Sequence, residues 1–300
     1  MITFHPGVKP NDPARARLYF RMFRRAGAVA PPMVDYSAIP YIGMLGNDRY
    51  GDCVEAASGH VVEQQTFIGQ GTEFEVTTAE VLDSYSRITG FDPAKPDTDQ
   101  GTMIQDGLDD LRKNGFDGHL IAAFAQVDSR NMADVKLAVS EFGAVDIGFS
   151  FPASAMDQFN AGLPWDVVKG SSIEGGHCVI VVGYDDRYLY VFTWGVVQKM
   201  TYAFWNAYVD EAWVLIDPDW ISAATGVSVT GIDKAAFGAQ FAALTGQPNP
   251  FPGAGPPVVV LDGAETALVT AARRYLKRAK ALQISYLTAA LKAWLKDKGQ

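Results

Sequence analysis

Cysteine is almost missing from this chain, which holds Cys53 and Cys178 among 300 residues. That scarcity excludes a disulfide framework and any zinc site built on cysteine pairs, because such sites need several ligands at short spacing. Histidine is also sparse, at four residues, with His5 and His119 isolated in sequence, so no metal and no cofactor are expected. Basic side chains are the minority: 25 Lys+Arg stand against 34 Asp+Glu, a net charge of −9 that argues against nucleic acid as a general partner. No apolar run approaches the roughly 20 residues of a membrane-spanning helix. The amino terminus, Met1 to Pro6, lacks a basic segment followed by an apolar one, so no secretory signal is expected, and the expected location is the cytoplasm or a virion.

What the chain does have is enough apolar material, 48% of its residues, for a sizeable core. Its organisation reads in four parts. Residues 1–30 form an arm in which Arg15, Arg17, Arg21, Arg24 and Arg25 interleave with Tyr19, Phe20 and Phe23. Lying on its own acidic domain or on a neighbouring subunit is the plainer role for such an arm, against nucleic-acid binding. Residues 31–246 form the main domain, 247–257 a proline-stiffened linker, and 258–300 a terminal amphipathic helix. In that helix Leu268, Ala272, Tyr275, Ala279, Leu282, Tyr286, Ala290 and Trp294 repeat at three- and four-residue spacing. The segment from Ala264 onward is net +6, eight Lys/Arg against Glu265 and Asp297. An apolar stripe on a basic helix needs a surface to bury it: the domain itself, a second copy, another protein or an anionic membrane surface.

Within the main domain, the polar loop Leu45 to Gly51 ends where an alanine- and valine-rich segment begins at Cys53 and runs to about Phe67. The pattern predicts a helix with a thiol on its first turn, where unpaired N–H groups favour thiolate. Asp52 is expected to cap that helix while opposing the effect on the thiol. Thr77 and Glu80 form a capping-box pattern for a second helix through Ile88, and residues 101–114 place Met103, Leu108 and Leu111 on one face opposite a solvated acidic face with Asp106, Asp109 and Asp110. A further helix is expected over Asn131 to Phe142. His60, two turns past Cys53, reads as a packed core histidine.

After Gly118 the pattern shifts to β-type runs. Gly175 and Gly176 lead into His177-Cys178-Val179-Ile180-Val181-Val182, so His177 should open a buried strand with its ring held. Cys178 should point to the opposite face from His177, which makes a bridge to Cys53 improbable. A second strand, Tyr188 to Trp194, follows the turn Asp185 to Arg187. The fold class expected is α+β: a helical half followed by a β half, with Cys53 and His177 facing each other across the junction.

Taken together, these residues resemble a papain-like cysteine peptidase of the kind encoded in bacterial and tailed-phage or prophage genomes. Pro32 to Tyr36 resembles the segment that opens the mature enzymes, and Asn47 stands six positions before Cys53 where the family keeps glutamine. Gly51 keeps the family glycine, and Asp99-Gln100-Gly101 with the stretch to Gly115 resembles the second helix of the helical half. Gly175-Gly176-His177 and Val182-Gly183-Tyr184 match the histidine strand, and Trp194-Gly195 resembles the tail of the asparagine motif. The resemblance covers roughly residues 31–220 and implies a helical half packed on a β-barrel-like half. It implies that Cys53 attacks a carbonyl of a peptide or amide substrate, that His177 serves as its base, and that Asn47 supplies the oxyanion amide. Where the family has asparagine the chain offers Phe192, aligned on the tryptophan, or Thr193, aligned by strand alternation; Thr193 is favoured because its hydroxyl can accept from the ring. The long inhibitory pro-segment of secreted relatives is not expected in the residues before the domain. The alternative is a catalytically weakened module with a structural or adaptor role in an assembly such as a phage virion, using the arm and terminal helix to bind a protein partner or to self-associate.

Overall fold

The segment after Asp52 mixes small and apolar residues with Glu55, His60, Glu63, Gln64 and Gln65, and the fold buries all of them. In the computed structural model, which describes residues 4–15, 17–22, 24 and 27–251, α1 (Cys53–Gln65) has all of its residues buried and continues as a π-helical turn through Thr66–Gln70. Around it pack α2 (Thr78–Thr89) and α3 (Ile104–Lys113). The start of α2 carries a complete capping box: Glu80 N–H donates to Thr77 Oγ1 at 3.3 Å and the Glu80 carboxylate accepts from Thr77 N–H at 2.8 Å. On α3 the acidic face is not simply solvated. Asp110 is buried and holds Arg87, Ser84 and Asn114, because α2 packs over that side of the helix.

The β half is one antiparallel sheet. Its strands are β1 (Val34–Asp35), β2 (Ala123–Val127), β3 (Val145–Pro152), β4 (Ile173–Tyr184), β5 (Tyr188–Thr193), β6 (Val196–Thr201) and β7 (Val209–Ile216). They run in the order β2-β7-β3-β4-β5-β6, with β1 added to the end of β4. Further helices are α4 (Met132–Phe142), capped by Asn131, α5 (Ala153–Asn160), α6 (Tyr202–Tyr208) and α7 (Lys234–Thr245). The fold is α+β, as the sequence pattern predicts. β4 begins at Ile173, four residues ahead of His177, so the imidazole stands inside the strand, opposite Phe149 of β3.

Alternation along β4 and β5 sorts the side chains. Cys178, Ile180, Val182 and Phe192 pack with Cys53, Val54 and Ala57 of α1 in one apolar cluster. His177 and Thr193 lie on the other side, among Phe149, Phe151 and Trp165. Of the expected linker 247–257, the described part ends at Phe251, which is buried with its ring 6.1 Å from that of Phe237. The rest of the linker and the terminal helix 258–300 lie outside the described residues, as do Phe23 and Arg25 of the arm. No described helix is long and apolar enough to cross a membrane, and no group of three metal-capable side chains occurs among the described residues.

Candidate active site

Cys53 is the first residue of α1 and packs in one buried cluster with Cys178, the residue after His177, whose backbone N–H favours the thiolate. The helix tip and the histidine strand therefore meet at this point. The His177 ring is fixed on several sides. Its Nε2 lies 3.1 Å from Thr193 Oγ1, and Trp194 stacks on it with ring centroids 4.7 Å apart and planes 15° from parallel. Phe149 and Phe151 meet it edge-on at 5.6 and 5.5 Å. Nδ1 has no hydrogen-bond partner and is the ring nitrogen left for chemistry.

The Trp194-Gly195 pair has a local cause. Trp194 has φ 47° and Gly195 φ 76°, the two positive values of a type I′ hairpin turn joining β5 to β6. A tryptophan in that conformation is strained, and here the strain swings the indole over the imidazole, where its Nε1 donates to Asn47 O at 3.2 Å. The same alternation that turns Thr193 toward His177 sends Phe192 into the α1 cluster, with its ring 6.1 Å from His60. His60 is itself buried, with Nε2 2.7 Å from Gly43 O.

The groove above the sulfur is filled by the chain's own arm. Gly7 and Val8 N–H groups donate to Gly176 O at 3.1 and 3.3 Å on the β side, while Thr102 N–H donates to Gly7 O at 2.7 Å and Lys9 N–H to Thr102 O at 2.8 Å on the helical side. Phe4 stacks on Phe151 at 4.0 Å and meets the His177 ring edge-on at 5.6 Å. A Cβ on Gly7 would fall 2.7 Å from Cys53 Sγ. The walls are equally bare: a Cβ on Gly51, Gly101, Gly175 or Gly176 would come within 2.7 Å of Pro6, Gly7 or Val8. Five glycines thus let one extended backbone lie against the thiol with both of its edges hydrogen-bonded.

Covering the site changes its electrostatics. Cys53 is fully buried, and burial, with Glu55, Asp52 and Asp146 adding to it, pushes its thiol well above the ordinary range despite the Cys178 N–H. Burial also lowers His177, to about 3. Both groups are neutral in this closed form, and no hydrogen bond joins them. The thiolate expected from the helix terminus is absent because desolvation outweighs the helix dipole, whose contribution is typically below about 2 kcal/mol.

Among solved structures the chain is similar to xylellain, a cysteine protease from Xylella fastidiosa, at TM-score 0.55 and 20% identity over 70% of this chain and 95% of that one. A digestive procathepsin L2 proteinase from Tenebrio molitor larval midgut matches at TM-score 0.50 and 15% identity, over 71% of this chain and 78% of that one. This is a papain-like fold. No family model and no curated protein matches the sequence.

Within the papain-like fold, the position expected to supply an oxyanion amide is engaged elsewhere. Asn47 Nδ2 donates to Asp52 Oδ1 at 3.2 Å and to Tyr50 O at 3.4 Å. Asp52 makes no side-chain cap on α1. Instead it is fully buried beside Asn47, with its carboxyl raised by burial and by the charges of Asp99 and Asp48. Cys178 faces away from His177 and toward α1; its thiol donates to Asp146 Oδ1 at 2.8 Å, and both cysteines are free. Residues 4–9 escape a reading of the sequence because nothing in their composition says where they dock. The signal that points to them is indirect: glycines at 51, 101, 175 and 176, scattered through the chain, all border one groove.

Proposed function

We propose that this chain is a cysteine hydrolase of peptide or other amide bonds, with Cys53 as nucleophile and His177 as base, held closed by its own residues 4–9. One observation carries the reading: the groove over the Cys53 sulfur binds an extended peptide backbone, hydrogen-bonded to Gly176 and Thr102 on its two walls. A substrate peptide finds the same donors and acceptors once the arm is displaced.

In that open form His177 Nδ1 takes the Cys53 proton, the sulfur attacks the scissile carbonyl carbon, and negative charge develops on its oxygen at the N-terminal end of α1. The C–N bond then breaks as His177 returns the proton to the departing amine, leaving a thioester. Water, deprotonated by His177, cleaves the thioester and restores the thiol. Thr193 holds the ring through Nε2–H, and Trp194 shields that bond from water.

The test keeps the full chain and displaces the arm with Gly7→Val, whose Cβ has no room against Cys53 Sγ. Iodoacetamide should then alkylate Cys53 near pH 6 faster than in the parent chain, and fluorogenic peptide amides should be hydrolysed. Adding His177→Ala should remove both gains; retention of either would sink the assignment.

The second reading is a module kept for assembly, such as a phage structural component, and it is favoured by the Asn47 amide resting on Asp52 and by a threonine partner for His177. It assigns residues 258–300 to a protein partner or a second copy. Light scattering on the full chain and on a truncation after Pro252 tests it: a mass that falls on truncation supports assembly, and an unchanged monomer removes it.

A further inference from the structure

Arm residues also wall a second cavity that the hydrolase reading does not use. It measures about 680 Å³, within the roughly 300–1,000 Å³ usual for small-molecule sites, and lies between the arm, α3, β2 and residues 247–250. Three guanidinium groups, Arg15, Arg17 and Arg112, line it with one carboxylate, Asp109. Asp109 pairs with both Arg15 and Arg112, and Asp106 also pairs with Arg15, so the lining keeps a small positive excess in a chain of net charge −9. Two polar atoms in its wall are buried without partners. Gln105 is 2% exposed and its Oε1 meets no donor, and Arg17 Nε meets no acceptor although the two Nη groups hold Gln126 Oε1 and Asp12 O. A buried polar atom left without a partner destabilises the fold, and a ligand carrying an acceptor and a donor relieves both. The apolar part of the lining is Leu18, Ala123 and Phe124, with the Arg112 guanidinium 5.9 Å from the Phe124 ring centroid.

We infer that this cavity binds a small organic anion, an anionic head on a flat apolar body, and that its binding fastens the arm over Cys53. The head sits between Arg17 Nε and Arg112, a donor on the ligand meets Gln105 Oε1, and the flat body lies on Phe124. Coupling to the arm follows from the walls. Arg15, Arg17 and Leu18 belong to the arm, and the arm is tied to α3 by Arg15 on Asp106 at 2.6 Å and on Asp109. The cavity is complete only while the arm is docked, so a ligand of the complete cavity stabilises the docked form by mass action. The coupling rests on the arm covering the thiol, not on hydrolysis.

The test uses the full chain with phenyl phosphate as the probe, and inorganic phosphate, benzoate and benzyl alcohol for comparison. Calorimetry should show phenyl phosphate binding at least tenfold more tightly than inorganic phosphate, and benzyl alcohol not binding. Benzoate separates a carboxylate from a phosphate head. Arg112→Met, at a side chain 54% exposed and outside the core, should weaken phenyl phosphate at least tenfold. Saturating phenyl phosphate should slow iodoacetamide labelling of Cys53 severalfold in the parent chain and not in Arg112→Met. No binding, or equal binding by the Arg112→Met chain, overturns the site. Binding that leaves Cys53 labelling unchanged overturns the coupling, and because neither readout needs turnover, both remain decisive even if the chain hydrolyses nothing.

Discussion

In the proposed hydrolase Thr193 is a modest anchor for the His177 ring. A hydroxyl accepting one N–H at 3.1 Å contributes about 1 kcal/mol, and it can rotate where a planar amide cannot. In the arm-displaced chain, Thr193→Val should lower kcat about tenfold with little change in KM, read from steady-state kinetics on a peptide amide. Asn47 gives a different expectation. A donor aimed at the oxyanion is typically worth about 10²–10³ in kcat, but this amide is already bound to Asp52 and Tyr50 O. Asn47→Ala should therefore cost only about tenfold; a loss of a thousandfold would show that the amide swings to the substrate during turnover. Titration of the closed form follows from the two shifts. With Cys53 raised and His177 lowered to about 3, the neutral pair persists from about pH 3 into the alkaline range. Alkylation of the parent chain should rise with pH on the alkaline side alone, without the shoulder near pH 6 that an ion pair produces.

At the scale of elements, α1 and β4 are held by packing and α2 by its cap. Thr77→Ala removes the hydroxyl half of the capping box, leaving the Thr77 N–H on the Glu80 carboxylate, and should lower stability by about 1 kcal/mol, seen as a reduced denaturation midpoint with an unchanged slope. The arm is held differently. Beyond the four backbone hydrogen bonds in the groove it is held by Gln126 N–H on Leu18 O at 2.8 Å, by Arg17 on Gln126 and Asn11 on Glu211, by partly exposed ion pairs, Arg15 on α3 and Arg24 on Asp134, and by Phe20, which is buried against Phe142. Exposed pairs of this kind are worth about 0–1 kcal/mol each and weaken with salt, so added salt should loosen the arm's hold on the domain.

The whole molecule carries opposed buried charges that limit its pH range on both sides. Burial raises Asp146 from 3.8 to about 7, with the Cys178 hydrogen bond a smaller opposing influence. The native state therefore holds a proton that the unfolded chain gives up, and stability falls as pH rises through that window. On the acid side, burial lowers His177 to about 3 and His60 to about 4, so the unfolded chain takes up protons first and stability falls as pH drops below about 6.5. Asp146→Asn should raise the melting temperature at pH 8 by the equivalent of about 2–4 kcal/mol and change it little at pH 4. A parallel shift at both values would show that packing, not titration, sets the effect.

Local pattern was enough to define much of this protein. The run after Cys53, the Thr77 cap, the Asn131 helix and the alternation through His177 and Thr193 are short-range features, because cap chemistry and side-chain period are set by residues within a few positions of one another. Short-range pattern also separates Thr193 from Phe192, since successive strand residues point to opposite faces. The state of the thiol, the partner of the Asn47 amide, the burial of Asp110 and the course of residues 4–9 through the groove depend on contacts between distant segments. Desolvation and the fit of one backbone among five glycines are properties of the assembled surface, so only the tertiary structure decided them.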